Sequence, residues 1–229
     1  MLNLQGYGWM LLEGLQMTVL VGLCSLALAI CLGIVGAGAK LSGNPVLRGG
    51  ANVYTTVIRG IPELLLILLI FYGTPTLIQN IAGDMGYDIR IDFNPFLAGV
   101  ITLGFIYGAF ATEVFRGAFQ SIPRGQIEAA QACGMHRLLV LRRIILPQVW
   151  RFALPGLGNV WMVLIKATAL ISIIQLEELM RTASIAMGAT RLPFTFFFIA
   201  SLLYLGITLV SVFIQQRLEN WANRGIRRA

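Results

Sequence analysis

The chain has 229 residues, 57% of them hydrophobic and 12% charged, about half the charge that a water-soluble domain usually carries. A soluble enzyme or nucleic-acid-binding domain is therefore all but excluded. Lys+Arg number 17 against 10 Asp+Glu, a formal net charge of +7, but the basic residues punctuate apolar runs and read as membrane-topology signals, with no nucleic-acid partner expected.

A helix needs about 20 mostly apolar residues to cross a hydrocarbon layer roughly 30 Å thick. The first qualifying run, Met17 to Ala39, carries no charge. Ala37-Gly38-Ala39 looks like a signal-cleavage site, yet no Lys or Arg precedes the run and it is too long for a signal core, so it is expected to be retained. Gly33, Gly36 and Gly38 end an apolar helix instead of following a strand, and Leu41 stands where a dinucleotide-binding loop needs its third glycine. Small residues at every fourth position, Ser25, Ala29, Gly33 and Ala37, form a seam for close helix packing, either inside the chain or across a dimer.

The second run, Gly60 to Gly83, contains one charge, Glu63, directly after Pro62, where helical hydrogen bonding is interrupted. The third, Phe93 to Thr112, is uncharged and repeats the small-residue seam at Gly104, Gly108 and Thr112, with Glu113 and Arg116 one helical turn apart at its end and expected to pair. The fourth, Phe152 to Leu176, contains only Lys166, and the fifth, Phe194 to Gln216, has no charge. An ionisable side chain within a span costs a few kcal/mol, which makes Glu63 and Lys166 functional candidates; the alternative is that they pair with each other or with a neighbouring chain for assembly alone. Tyr72, Tyr107 and Asn159 are further candidates for polar contacts to a ligand.

With the N-terminus outside, Lys40, Arg48, Arg59, Arg116, Arg124, Arg137, Arg142, Arg143, Arg151, Arg217, Arg224, Arg227 and Arg228 fall in the cytoplasm, and Arg90, Arg181 and Arg191 outside, together with Asp84, Asp88, Asp92, Glu177 and Glu178. Five crossings then leave the C-terminus inside. The expectation is an all-α polytopic membrane protein, one domain over residues 1–229, with a large cytoplasmic loop at about 117–150 between spans three and four.

That loop is too polar to span and too patterned to be a loose connection. Pro123 and Gly125 mark a turn, Gln126 to Cys133 are helix formers, and Gly134 is a stop, so a short helix is expected there. Lying on anionic lipid would account for its arginines. It would not account for the small, nearly chargeless face of Ala129, Ala130, Ala132 and Cys133, which fits a groove on another protein. Pro147 and Pro155-Gly156 are expected to break the re-entry into the fourth span.

Several chemistries have no residues to support them. His136 is the one histidine, so HExxH-type and other His-rich metal sites cannot be built; Cys24, Cys31 and Cys133 form neither a disulfide framework nor a CxxC site. No glycine directly precedes Lys40 or Lys166, so the phosphate-binding GxxxxGK[ST] loop is absent and ATP, if used, is bound elsewhere.

Glu128-Ala129-Ala130, Gly134 six residues after the glutamate, and Ile144-x-Leu146-Pro147, separated from that glycine by nine intervening residues, resemble the EAA loop of ABC-importer permeases. RGIPELLLILLIFYG from Arg59, TEVFRGAFQSIPRGQIEAA from Thr112 and LPGLGNVWMVLIKATALIS from Leu154 resemble the polar amino acid branch, nearest the histidine/lysine/arginine/ornithine-type permeases. The resemblance covers nearly the whole chain and is weakest over Gln79 to Asn94 and the last dozen residues. It implies a non-catalytic permease subunit of the bacterial inner membrane, whose short coupling helix, through Glu128, Ala129, Ala130 and Gly134, docks on an ABC ATPase. It further implies two copies of that ATPase binding ATP and Mg, no cofactor or metal in this chain, a second, similar but non-identical permease, and a soluble binding protein outside. An acid at the position of Glu63 supports a basic amino acid substrate. The competing class is a proton-coupled secondary carrier with Glu63 as its proton site, which leaves the EAA helix without a task.

Overall fold

In a computed structural model, residues 4–87 and 94–223 are described. The topology assignments made for Asp88, Arg90, Asp92, Arg224, Arg227 and Arg228 lie outside them. The described residues contain helices and turns but no strand, and five helical segments are long and apolar enough to cross a membrane.

Helix α1 runs from Gly8 to Leu41, longer than its apolar run, because the residues before Met17 continue the same helical geometry. Next comes α2, Pro45–Gly60, a helix where the sequence reading had only a loop; Asn44 caps it by accepting a hydrogen bond from Val46 N at 2.9 Å, with Pro45 in its first turn. The second span is compound: α3 (Glu63–Leu68), a wide π-helical turn (Leu69–Gly73) and α4 (Thr74–Asp84). The third span is α5, Pro95–Gln120, capped by Asn94.

The loop helix α6 covers Arg124–Ala132 and ends at Cys133; Gly134, at φ +79°, makes the left-handed exit that favours glycine. Helix α7 (Arg137–Val140), a π-helical turn (Leu141–Ile145) and α8 (Leu146–Ala167) then form one helical rise into the fourth span. The expected breaks at Pro147 and Pro155-Gly156 do not occur. Pro147 follows closely on the π-helical turn, which departs from α geometry without ending the rise, and Pro155 is carried within a continuous helix. A 3-10 turn (Thr168–Ile174) leads to α9 (Leu179–Thr190) and to the last span, α10 (Pro193–Ala222).

The core is the α1–α5 pair. A methyl on Gly33 would stand 2.6 Å from Ala111 Cβ, one on Gly104 would stand 2.5 Å from Leu28, and Gly36 faces Thr112 just as closely. The two small-residue seams therefore meet each other inside one chain. Their sequence offset is nearly constant: Leu28 lies against Gly104, Leu32 against Gly108 and Gly36 against Thr112, so the two helices run parallel along the contact. Around this pair, α8 packs on α5 through Gly156 and Val114, while α9 and α10 close over the start of α1 through Leu11, Leu179, Ala183, Phe196 and Ala200.

Gly33→Val should force α1 off α5, destabilising the fold by about 1–3 kcal/mol. The check is thermal unfolding of the detergent-purified protein followed by size-exclusion chromatography; an unchanged midpoint would contradict the packing account.

Candidate functional site

Pro62 lacks an N–H and disfavours helical geometry at Ile61, so α2 stops at Gly60, and Ile61 (ψ 137°) and Pro62 (ψ 133°) are extended before α3 begins. This break delivers Glu63 to α5. There the hydroxyl of Tyr107, a side chain only 1% exposed, donates to the Glu63 carboxylate, with Oε1 at 3.0 Å and Oε2 at 3.1 Å. One proton shared between two oxygens leaves most of the carboxylate's acceptor capacity unused. Among the described residues the ion pairs all belong to Glu113, so no cation is paired with Glu63. A half-buried carboxylate, fixed by one neutral donor and lacking a counter-ion, is suited to receive a cationic group.

The other ligand candidates are not brought to this pair. Tyr72 sits in the π-helical turn, 49% exposed and edge-to-face with Phe71, about two and a half turns beyond Glu63. Asn159 is exposed on α8, on the same side as Pro155, Val163 and Lys166, and makes no contact with Glu63 or Tyr107 within the chain. Lys166, also exposed, does not pair with Glu63, whose partner is Tyr107.

The expected Glu113–Arg116 pair forms at 2.7 Å, and Lys40 at the end of α1 joins it, tying the same ends of α1 and α5 together. Helix α6 continues from that end. Ile127 packs against the apolar cluster that contains Phe115, Ile122 and Val149, and Ala130 of the same helix is buried. Of the small face expected to meet another protein, Ala130 is thus covered within the chain. Glu128, Ala129, Ala132, Cys133 and Gly134 remain exposed.

One group escaped the sequence reading. Glu178 was assigned to an exterior loop with Glu177, but it is fully buried and caps α9, accepting hydrogen bonds from Met180 N at 2.9 Å and Arg181 N at 2.7 Å. Tyr204 of α10 donates to the same carboxylate at 3.1 Å and Thr18 of α1 at 3.5 Å, so one acid ties three helices together. The sequence signal was an acidic residue directly before an apolar helical repeat.

Burial pushes the Glu178 carboxyl up to about 7, against the hydrogen bonds that favour its anion. With the folded value raised above the ordinary 4.5, the stabilisation is complete below that ordinary value and is lost as pH rises through about 7. The wild-type protein should therefore lose on the order of 3 kcal/mol between pH 4.5 and pH 8 from this group, and Glu178→Gln should flatten that part of the profile. Thermal unfolding across this pH range reads it; parallel profiles for the two proteins would refute the assignment.

The chain is similar to known proteins over nearly its whole length. A family model described as "Binding-protein-dependent transport system inner membrane component" matches residues 29–224. The histidine/lysine/arginine/ornithine transport system permease protein HisQ of Salmonella typhimurium is 46% identical over 226 residues, 99% of each chain. The nopaline transport system permease protein NocQ of Agrobacterium fabrum is 48% identical over 223 residues, 97% of this chain and 94% of the relative. Among solved structures, an amino acid ABC transporter crystallised with histidines superposes with a TM-score of 0.80 at 29% identity, covering 93% of this chain and 94% of that one.

Proposed function

Since the chain belongs to the binding-protein-dependent transport system inner membrane components, we propose that it is the permease subunit through which an ATP-driven importer passes basic amino acids: arginine, ornithine, lysine or histidine. The observation that carries this reading is the Glu63–Tyr107 pair, a fixed carboxylate without a counter-cation beside a helix break. A cationic side chain supplies the missing partner, and the name of the HisQ relative, a histidine/lysine/arginine/ornithine permease, points to the same substrates. As a membrane component of the family the chain performs no covalent chemistry, and ATP hydrolysis belongs to a separate subunit.

In this reading the N-terminus lies outside and the C-terminus inside. A binding protein delivers the amino acid to the outer face, and two copies of the ATPase, which hold ATP and Mg, grip α6 and its counterpart on a second, similar permease. Closure of the ATPases moves α6, the fixed α5 transmits the displacement, and the spans exchange outward for inward access. Glu128, Ala129 and Gly134 supply the exposed docking surface, while Ala130 anchors α6 from below.

The test is uptake of radiolabelled arginine by the complete importer in proteoliposomes. Glu63→Gln should lower ATP-driven uptake by at least about tenfold, the cost of losing a charge-assisted hydrogen bond, while the subunits still co-purify. Normal uptake by the assembled variant would remove Glu63 from the path.

A further inference from the structure

Arg59 and Glu63 carry opposite charges on the two sides of the break at Gly60, Ile61 and Pro62. Both lie against α5, and against neighbouring aromatic rings. The Arg59 guanidinium carbon is 5.3 Å from the centroid of the Phe110 ring. Phe110 and Tyr107 have centroids 5.7 Å apart and planes tilted by 31°, and Tyr107 holds Glu63. One aromatic pair thus presents a cation at one end and an anion at the other.

The charge pattern places Arg59 among the topology-setting cations, but its guanidinium stacks on Phe110, a residue of the third span. Tyr54, earlier on α2, donates to the Phe105 carbonyl at 2.6 Å, and Gly108 lies against Leu32 in the apolar run of α1. Phe110 precedes by one turn the Glu113 carboxylate that closes the span with Lys40. Arg59 is exposed and stacks one turn before that closing pair, and no acid pairs with it among the described residues, where Lys40 and Arg116 take up Glu113. An exposed guanidinium without an acidic partner keeps its donors free for a ligand, and its planar fork matches a carboxylate in a way an ammonium does not.

Every α-amino acid carries a carboxylate, and a basic one adds a cation at its far end. We propose that Arg59 anchors the α-carboxylate of the transported amino acid while Glu63 receives its side-chain cation, so that the break between α2 and α3 reads both ends of one substrate. This rests on the reading of Glu63 given above, but the two halves are separable, because each charge answers to a different end of the ligand.

The experiment is binding of radiolabelled arginine to the detergent-purified permease–ATPase assembly without its binding protein, competed by arginine, by agmatine, which lacks the α-carboxylate, and by citrulline, which lacks the side-chain charge. In the wild type, agmatine should compete at least about tenfold more weakly than arginine. Arg59→Gln should weaken arginine at least about tenfold and bring it level with agmatine, with Arg59→Lys recovering part of the difference. Retained discrimination in Arg59→Gln would overturn the proposal and leave Arg59 a lipid-facing charge. If Arg59→Gln does not assemble, the wild type decides, since equal competition by agmatine and arginine overturns the proposal by itself. Glu63→Gln should lose the preference over citrulline and keep the preference over agmatine; a Glu63→Gln assembly that still prefers arginine to citrulline overturns the Glu63 reading and leaves Arg59 standing. A wild-type assembly that binds no arginine counts against both.

Discussion

The architecture depends on how closely α1 and α5 can approach. In a bilayer, apolar side chains gain little by leaving lipid for protein, so association must come from dense van der Waals contact between backbones. Glycine or alanine at Gly33, Gly36, Gly104 and Ala111 allows it, and a single added methyl at Gly33 or Gly104 would enter its neighbour's radius. With α1 locked to it, α5 becomes the fixed post of the subunit. It carries Tyr107 and Phe110 at the helix break, Glu113 at the end of the span, and the start of the chain into α6.

The polar groups of the bundle divide by how they are satisfied. Glu113 lies between Lys40 and Arg116, and that triad fastens the end of the α1–α5 post next to α6. Glu178 has no cation among the described residues; it is satisfied by two backbone N–H groups, a phenol and a threonine, and so fastens α9 and α10 to α1. Glu63 has one neutral donor and spare acceptor capacity. The first two arrangements are closed, whereas the third is open, and the proposed role of Glu63 rests on that difference.

The spans were legible because hydrocarbon thickness imposes length and apolarity directly on sequence, and the α6 helix was legible because its glycine stop and proline turn are local. The Glu113–Arg116 pair was legible for the same reason, as an i,i+3 relation. Helix α2 was not read, although Asn44 and Pro45 announce it, because its charged residues had been spent on topology. Glu178 was misplaced because its burial comes from Thr18 and Tyr204, residues far from it in sequence. The pairing of Glu63 with Tyr107 depends on α3 meeting α5, and no local pattern encodes that. Pro155 misled the reading of the fourth span, since packing of Gly156 on Val114 keeps α8 helical through it.

Transport in this account is mechanical: α6, rooted through Ile127 and Ala130, passes motion from the ATPase into α5. The most direct measurement is site-directed cross-linking in the assembled importer, with the native cysteines Cys24, Cys31 and Cys133 replaced, Ala129→Cys introduced, and a reporter cysteine placed in turn along the cleft of the ATPase. The account predicts a disulfide between the two subunits that stops ATP-driven uptake and releases it on reduction. A transporting assembly in which Ala129→Cys forms no such bond at any cleft position would contradict it.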